Sequence, residues 1–326
     1  MEQAQSVAVK KKGISGSTVK LIAIVTMLID HIAAVILMRM LMQRNLLGIV
    51  GQSDIQAVMD WLQKNAVLYY GVMFMRQIGR LGFPLFAFLL VEGFQKTHDV
   101  KKYAMRLGIF TLISEIPFNL ALTGKVIAPG YQNVYFTLLL GLGALYTVKW
   151  LEEHSQTTVI RGLFIAGGIL LPSAYWFLEH GSSFMPLQLA VSLGLVIFFT
   201  VMFLVWWKKR GLEEAGKICS YITAVLFFML LADLLKTDYA GMGVLTMAAI
   251  YTFRKNKVYS MLAGCIVLAV MSLSELAGFF ALIPVALYNG ERGLKLKYFF
   301  YLFYPVHLLI LWLIAAAMGM GGISAV

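Results

Sequence analysis

Apolar residues in this chain gather into runs of about 20, the length a helix needs to cross a bilayer. Such runs recur near 18–42, 67–95, 101–123, 131–151, 158–178, 185–207, 217–236, 239–254, 257–273, 275–289 and 297–318. The 239–254 and 275–289 runs are short enough for half-spans or re-entrant pieces. Residues 45–66, which include Trp61, form an amphipathic stretch expected to lie on the membrane surface. The predicted fold is all-α, a polytopic transmembrane helical bundle of about 10–11 spans. Residues 1–17 form an N-terminal tail, 18–318 a single membrane domain and 319–326 a C-terminal tail. The chain shows no internal repeat, low-complexity tract or linker that would divide it further. Lys10, Lys11 and Lys12 resemble the start of a signal peptide. The apolar run that follows is interrupted by Asp30-His31 and continues past Met42 without a cleavage site, so it reads as a retained first span.

Composition agrees with lipid as a second solvent. The 326 residues are 60% hydrophobic and only 13% charged, with a mean hydropathy of +0.81. Soluble domains run at about 45–50% apolar and about 25% charged. The formal net charge of +11 comes from short loop clusters rather than a basic face. That distribution fits topology signals and anionic headgroups, and nucleic acid is not an expected partner. With the N-terminus in the cytosol, basic residues favour the inside by about four to one. Inside fall Lys101, Lys102, Lys208, Lys209 and Arg210, among others; outside fall Arg39, Arg44, Lys64, Lys125 and Lys236. The N-terminus is therefore expected to be cytosolic and the C-terminus outside, in a bacterial cytoplasmic (inner) membrane. Cys219 and Cys265 sit in apolar runs without CxxC or metal-ligand spacing, so they say nothing about redox chemistry, and no metal is expected.

An ionisable group at mid-membrane costs at least about 2.5–3.5 kcal/mol on insertion scales, so each marks a candidate site. The candidates are Asp30 and His31, Arg76 and Arg80, Glu92, Glu115 with Asn119, Asp233 and His307. At about 1.5 Å per residue, His31, Arg80, Glu115 and His307 fall at a common level. Arg76 and Arg80 share a helix face, as do Glu115 and Asn119, and Asn133 and Thr137. Tyr304 and His307 flank Pro305, which removes a backbone donor and favours a kink. Each has a structural alternative. Arg80 with Glu115 is an intramembrane ion pair, structural or functional. Asn119, Asn133 and Thr137 suit interhelical hydrogen bonding. Glu92 and Asp233 lie near span ends, where they can reach water.

Five runs together resemble the TraX family of membrane proteins associated with N-terminal acetylation of conjugative pilin. They are KLIAIVTMLIDHIAA (Lys20 to Ala34), RQIGRLGFPLFAFLLVEGF (Arg76 to Phe94), SEIPFN (Ser114 to Asn119), QNVYFTLLLG (Gln132 to Gly141) and FYPVHLLIL (Phe303 to Leu311). Between 152 and 230 only generic membrane sequence is present. The resemblance implies an acetyltransferase that takes acetyl-CoA as donor, with 18–318 as the acyltransferase domain. It leaves the acceptor open between a peptide N-terminus and an envelope glycan.

In that frame His31 is the candidate general base, with Asp30 a weaker candidate for its orienting partner, because adjacent helical residues point about 100° apart. Arg76 and Arg80 are candidates for oxyanion or substrate binding. Glu115 belongs to the catalytic group, and Asn119, Asn133, Tyr304 and His307 to the substrate site. Lys20, Lys101, Lys102 and Arg106 are candidates for the coenzyme phosphates, against a reading as solvated topology signals. A proton-coupled transporter or exporter would use the same buried groups, though the chain lacks inverted repeats.

Overall fold

In the computed structural model, which describes residues 12–50, 54–154, 157–179, 185–294 and 297–325, the chain is a bundle of helices. Lys10, Lys11 and Lys295, and residues 51–53 of the amphipathic stretch, lie outside the described residues. The helices are α1 (Gly16–Gln43), α2 (Leu46–Val50), α3 (Ile55–Gly79), α4 (Gly82–Lys96), α5 (Val100–Thr123), α6 (Val134–Glu153), α7 (Thr158–Glu179) and α8 (Met185–Arg210). They continue with α9 (Leu212–Leu234), α10 (Ala240–Thr252), α11 (Lys257–Met271), α12 (Leu273–Leu287) and α13 (Lys297–Ala317). Counting Ile55–Lys96 as one interrupted stretch, 8 are long and apolar enough to cross a membrane among the described residues, and α10, α11 and α12 are shorter. The protein is a multi-pass helical membrane protein.

Local chemistry sets the helix starts. Ser15, Asp54, Asp99, Asn133 and Asn256 each accept from a backbone N–H of the first turn, satisfying donors that have no partner within the helix. α5 stops at Gly124, whose φ of 71° is left-handed and free of Cβ strain.

Three expectations need correction. Residues 45–66 do not form a separate surface element. Most of them enter α3, a continuous helix of 25 residues, and Trp61 Nε1 donates to the Arg44 carbonyl at 2.5 Å, tying α3 to the end of α1. The expected span 67–95 is broken at Arg80-Leu81. The 257–273 run is also half-length, at 15 residues in α11, and α12 begins as a 3-10 turn over Leu273–Ala281.

These interruptions share a level. Thr252 and Lys257 lie at the face that carries the N-terminus, so α10 begins and α11 ends about 20 Å into the bundle. His31 lies about 22 Å from Gly16 and Arg80 about 24 Å from Lys96. Irregular backbone at membrane depth is tolerated only where protein or water covers it. Here protein does so. Gln132 N donates to Lys236 O at 3.0 Å, Asp238 N donates to Gln132 O at 2.9 Å, and the Tyr239 ring stacks on Phe83 at 3.8 Å. Immediately after His31, residues Ala33–Leu37 widen into a π-helical turn, a distortion often found beside functional groups.

The described residues begin and end on opposite faces. At the N-terminal face Gly16 N donates to Glu291 O at 2.7 Å, and Lys96 Nζ to Gly290 O at 2.9 Å. At the far face the fully buried Arg39 donates to the carbonyls of Val35, Leu120 and Ile323, and Ala325 N to Leu122 O. This arrangement, combined with the basic-residue bias, makes a topology prediction. In whole cells a membrane-impermeant maleimide should label Gly322→Cys and leave Lys209→Cys unlabelled until the membrane is opened. Outside labelling of Lys209→Cys would reverse the orientation.

Candidate functional site

The first span places Asp30 and His31 side by side on α1, and the two side chains have different partners. His31 Nδ1 lies 2.6 Å from His307 Nε2, and the two rings meet edge to edge and nearly coplanar, with centroids 4.9 Å apart and planes 16° apart. The His307 ring is anchored within its own helix, where Nδ1 donates to the Phe303 carbonyl at 2.6 Å and the Phe303 ring lies near-parallel to it at 4.8 Å. His307 is 5% exposed, whereas His31 is half-buried. Pro305 acts as the sequence suggested. It cannot donate to the Tyr301 carbonyl one turn back, and Tyr135 Oη donates to that oxygen at 3.4 Å. Tyr135 packs at 4.8 Å on Tyr304, whose ring lies 6.0 Å from His31 and 5.8 Å from His307.

Asp30 turns away from the histidine. Its Oδ2 accepts from Arg76 Nη1 at 2.6 Å, and its carboxylate lies against Gly79, where any Cβ would overlap it. Arg80 pairs with Glu275 at 3.0 Å, and Glu275 is only 1% exposed. Both arginines are engaged by carboxylates, each through one Nη1, while Arg80 Nε is buried without a hydrogen-bond partner among the described residues. Asp238 joins this cluster within electrostatic range of Arg76 and Arg80, and accepts from Tyr131 Oη at 2.9 Å. Thr137 bonds the Thr237 hydroxyl at 3.0 Å and donates to the Asp238 carbonyl, holding the loop before α10.

Several sequence expectations change here. Glu115 does not pair with Arg80: its Oε2 accepts from Asn133 Nδ2 at 2.6 Å, and the same amide also donates to Thr111 O. This is interhelical bonding between α5 and α6. Asn119 lies one turn further along and donates to the Val126 carbonyl at 3.3 Å. Asp30 is not the partner of His31; His307 is. Glu275, Asp238 and Tyr131 were not singled out. Glu275 was hidden as the first residue of an expected half-span, and Asp238 as a loop residue beside one.

On the N-terminal face a cleft of about 590 Å³ is lined by Lys20, Lys96, Arg106 and Arg292 around Tyr103, Tyr135 and Tyr301. Lys20 also lies 5.3 Å from the centre of the Phe300 ring. Lys101 and Lys102 are not part of it; both side chains are exposed, and Lys102 pairs with Asp99 at 3.2 Å. The Asp99 carboxyl is held below the usual carboxylate range, first by the Lys102 backbone N–H and then by the Lys102 ammonium. Tyr135 belongs to the cleft wall and also touches Tyr304, so one aromatic layer separates the cleft from the histidine pair.

The family model described as TraX protein matches residues 15–210 and 188–315, including the stretch from 152 where the motifs thin out. A protein of Dichelobacter nodosus named as a probable fimbrial assembly protein, FimC of serogroup H1, is 28% identical over 247 residues. That alignment covers 73% of this chain and 81% of the relative. No solved structure matches.

The ion-pair assignments can be tested by thermal unfolding in detergent. Removing one member of a buried pair leaves an uncompensated charge and costs about 3–5 kcal/mol. Arg80→Ala and Glu275→Gln should each lower Tm strongly, while the double variant falls well short of the sum. Arg80→Ala and Glu115→Gln should add. Coupling in the second cycle and additivity in the first would reverse the assignment.

Proposed function

The chain belongs to the TraX family, and on that premise we propose that it is a membrane-embedded acetyltransferase. It moves the acetyl group of acetyl-CoA from the N-terminal face to an amine or hydroxyl of an exported or membrane-associated acceptor. The observation that carries this reading is the half-buried His31, paired with His307 and separated by a single aromatic layer from a basic cleft.

The residues of the cleft fit the donor. Its volume is within the usual range for small-molecule sites. Lys20, Arg106 and Arg292 supply cations for phosphates, while Tyr135, Leu138 and Leu90 give a largely apolar wall for the pantetheine arm. Lys96 lines the same cleft but is paired with Glu92 at 2.7 Å. Bound there, acetyl-CoA supplies an activated thioester, and the chain's own groups provide acid–base chemistry and position.

His31 takes the proton from the acceptor nitrogen or oxygen as that atom attacks the thioester carbonyl. It returns the proton to the departing thiolate as the C–S bond breaks, so the products are the acetylated acceptor and the free thiol. Asp30, Arg76, Arg80 and Glu275 hold the α3–α4 break and shape the far side of the site. The name of the Dichelobacter relative favours an exported peptide of the pilin type as acceptor; an envelope glycan is the alternative. The broken helices and buried carboxylates also suit a proton-coupled transporter, and the same experiment separates the two.

Purified protein incubated with acetyl-labelled CoA and cell-envelope extract should transfer label to one acceptor. His31→Ala should lower that transfer by about 10²–10⁴-fold, as expected for loss of a general base. Coenzyme A should still raise the Tm of the variant. A folded His31→Ala protein that transfers at the wild-type rate would remove His31 from the role. Absence of transfer with any acceptor, alongside ion-coupled uptake in vesicles, would favour the transporter.

A further inference from the structure

In the dyad, one hydrogen bond fixes the protonation pattern of both rings. A carbonyl oxygen only accepts, so His307 Nδ1, 2.6 Å from Phe303 O, carries a proton and donates it. In a neutral imidazole the other nitrogen then has only a lone pair, which makes His307 Nε2 an acceptor. That nitrogen lies 2.6 Å from His31 Nδ1, so His31 carries its proton on Nδ1. The lone pair of His31 is left on Nε2, which has no hydrogen-bond partner among the described residues and is not one of the buried unpartnered atoms.

We infer that His307 is the positioning residue that holds His31 in its Nε2-basic tautomer, a role resting on the acetyltransferase reading, and that the Phe303 carbonyl is the origin of the relay. The alternatives around His31 do not serve. Asp30 is adjacent in sequence, but its carboxylate is held by Arg76. Tyr304 is tilted by 59° with its ring centre 6.0 Å away. His307 is hydrogen-bonded to His31 edge to edge, with the two ring planes within 16° of each other. The near-parallel Phe303 ring and the i,i+4 bond within α13 leave the His307 ring little freedom to turn.

A carboxylate behind a catalytic histidine both orients the ring and stabilises the imidazolium that forms. A neutral imidazole supplies orientation and a hydrogen bond without bringing a second charge into the membrane interior, where an ionised group is costly. It also adds a step to the chain of donors. When His31 Nε2 receives the acceptor's proton, its Nδ1–H becomes a stronger donor to His307 Nε2, and the His307 Nδ1–H to Phe303 O strengthens with it. No proton has to leave the dyad before the thiolate takes one back.

Selective 15N-histidine labelling of the full-length protein in nanodiscs reads the tautomers directly, with His31→Ala and His307→Gln used to assign signals among the five histidines. The resting protein should show His31 protonated on Nδ1 alone. In His307→Phe, which keeps an aromatic ring at the position and removes the acceptor, His31 should become a mixture of tautomers. His307→Gln, whose side-chain oxygen can accept the same proton, should restore the single tautomer. Acetyl transfer should follow the same order, falling by about 10²-fold or more in the phenylalanine variant and by less than about tenfold in the glutamine variant.

Two results would overturn the assignment. One is a resting His31 protonated on Nε2. The other is a His31 tautomer unchanged in a His307→Phe protein with native melting behaviour. The resting spectrum stands if that variant fails to fold. It also involves no acetyl transfer, so a missing activity would count against the acetyltransferase reading and not against the tautomer.

Discussion

A charge inside a lipid bilayer must have a partner, and this bundle is organised around two such pairs. Asp30 with Arg76 joins α1 to α3, and Arg80 with Glu275 joins the α3–α4 break to α12. Dissolving either pair would leave a buried ion whose cost exceeds most single contacts in a folded protein. The pairs therefore fix the relative height of three separate segments. Gly79 is part of the same arrangement, since only the absence of a side chain lets α3 approach Asp30 so closely.

Once those heights are fixed, the short helices follow. α10 begins, α11 ends and α12 opens with a 3-10 turn at the depth where Arg80 interrupts its own span. Each interruption exposes backbone groups that lipid cannot satisfy, and the bundle covers them with one another. A polar interior layer results, with the histidine pair bordering it. On the N-terminal side Tyr135 and Tyr304 form the wall between that layer and a basic cleft. The arrangement allows a charged donor to stay at the membrane face while a thioester reaches inward.

Much of this was legible in the sequence because ionisable residues are so scarce in apolar runs. Asp30, His31, Arg76, Arg80 and His307 stood out for that reason, and the structure brings all five into one region. Pro305 removes a backbone donor from its helix, and Tyr135 donates to the carbonyl thereby left open. The pairings were not legible. Arg80 and Glu275 are nearly 200 residues apart in sequence, and helix periodicity says nothing about which distant helix is adjacent. Glu115 was a reasonable partner by depth alone, but depth does not give rotation about the helix axis. Asn119 shared a face with Glu115 and still lies a full turn away, where it bonds a loop carbonyl. Lys101 and Lys102 were grouped with Arg106 by proximity in the chain, whereas the helix directs Arg106 into the cleft and leaves the two lysines in solvent.

The most direct test of this account is a structure of the full chain in a nanodisc with a thioether analogue of acetyl-CoA that cannot transfer its acyl group. The phosphates should lie among Lys20, Arg106 and Arg292. The acyl carbon should have passed Tyr135 and Tyr304 to within near-attack reach of an acceptor placed beside His31 Nε2, roughly 3–3.5 Å from attacking atom to carbonyl carbon. An analogue whose acyl group ends on the cleft side of Tyr135, or that occupies another face of the bundle, would contradict it.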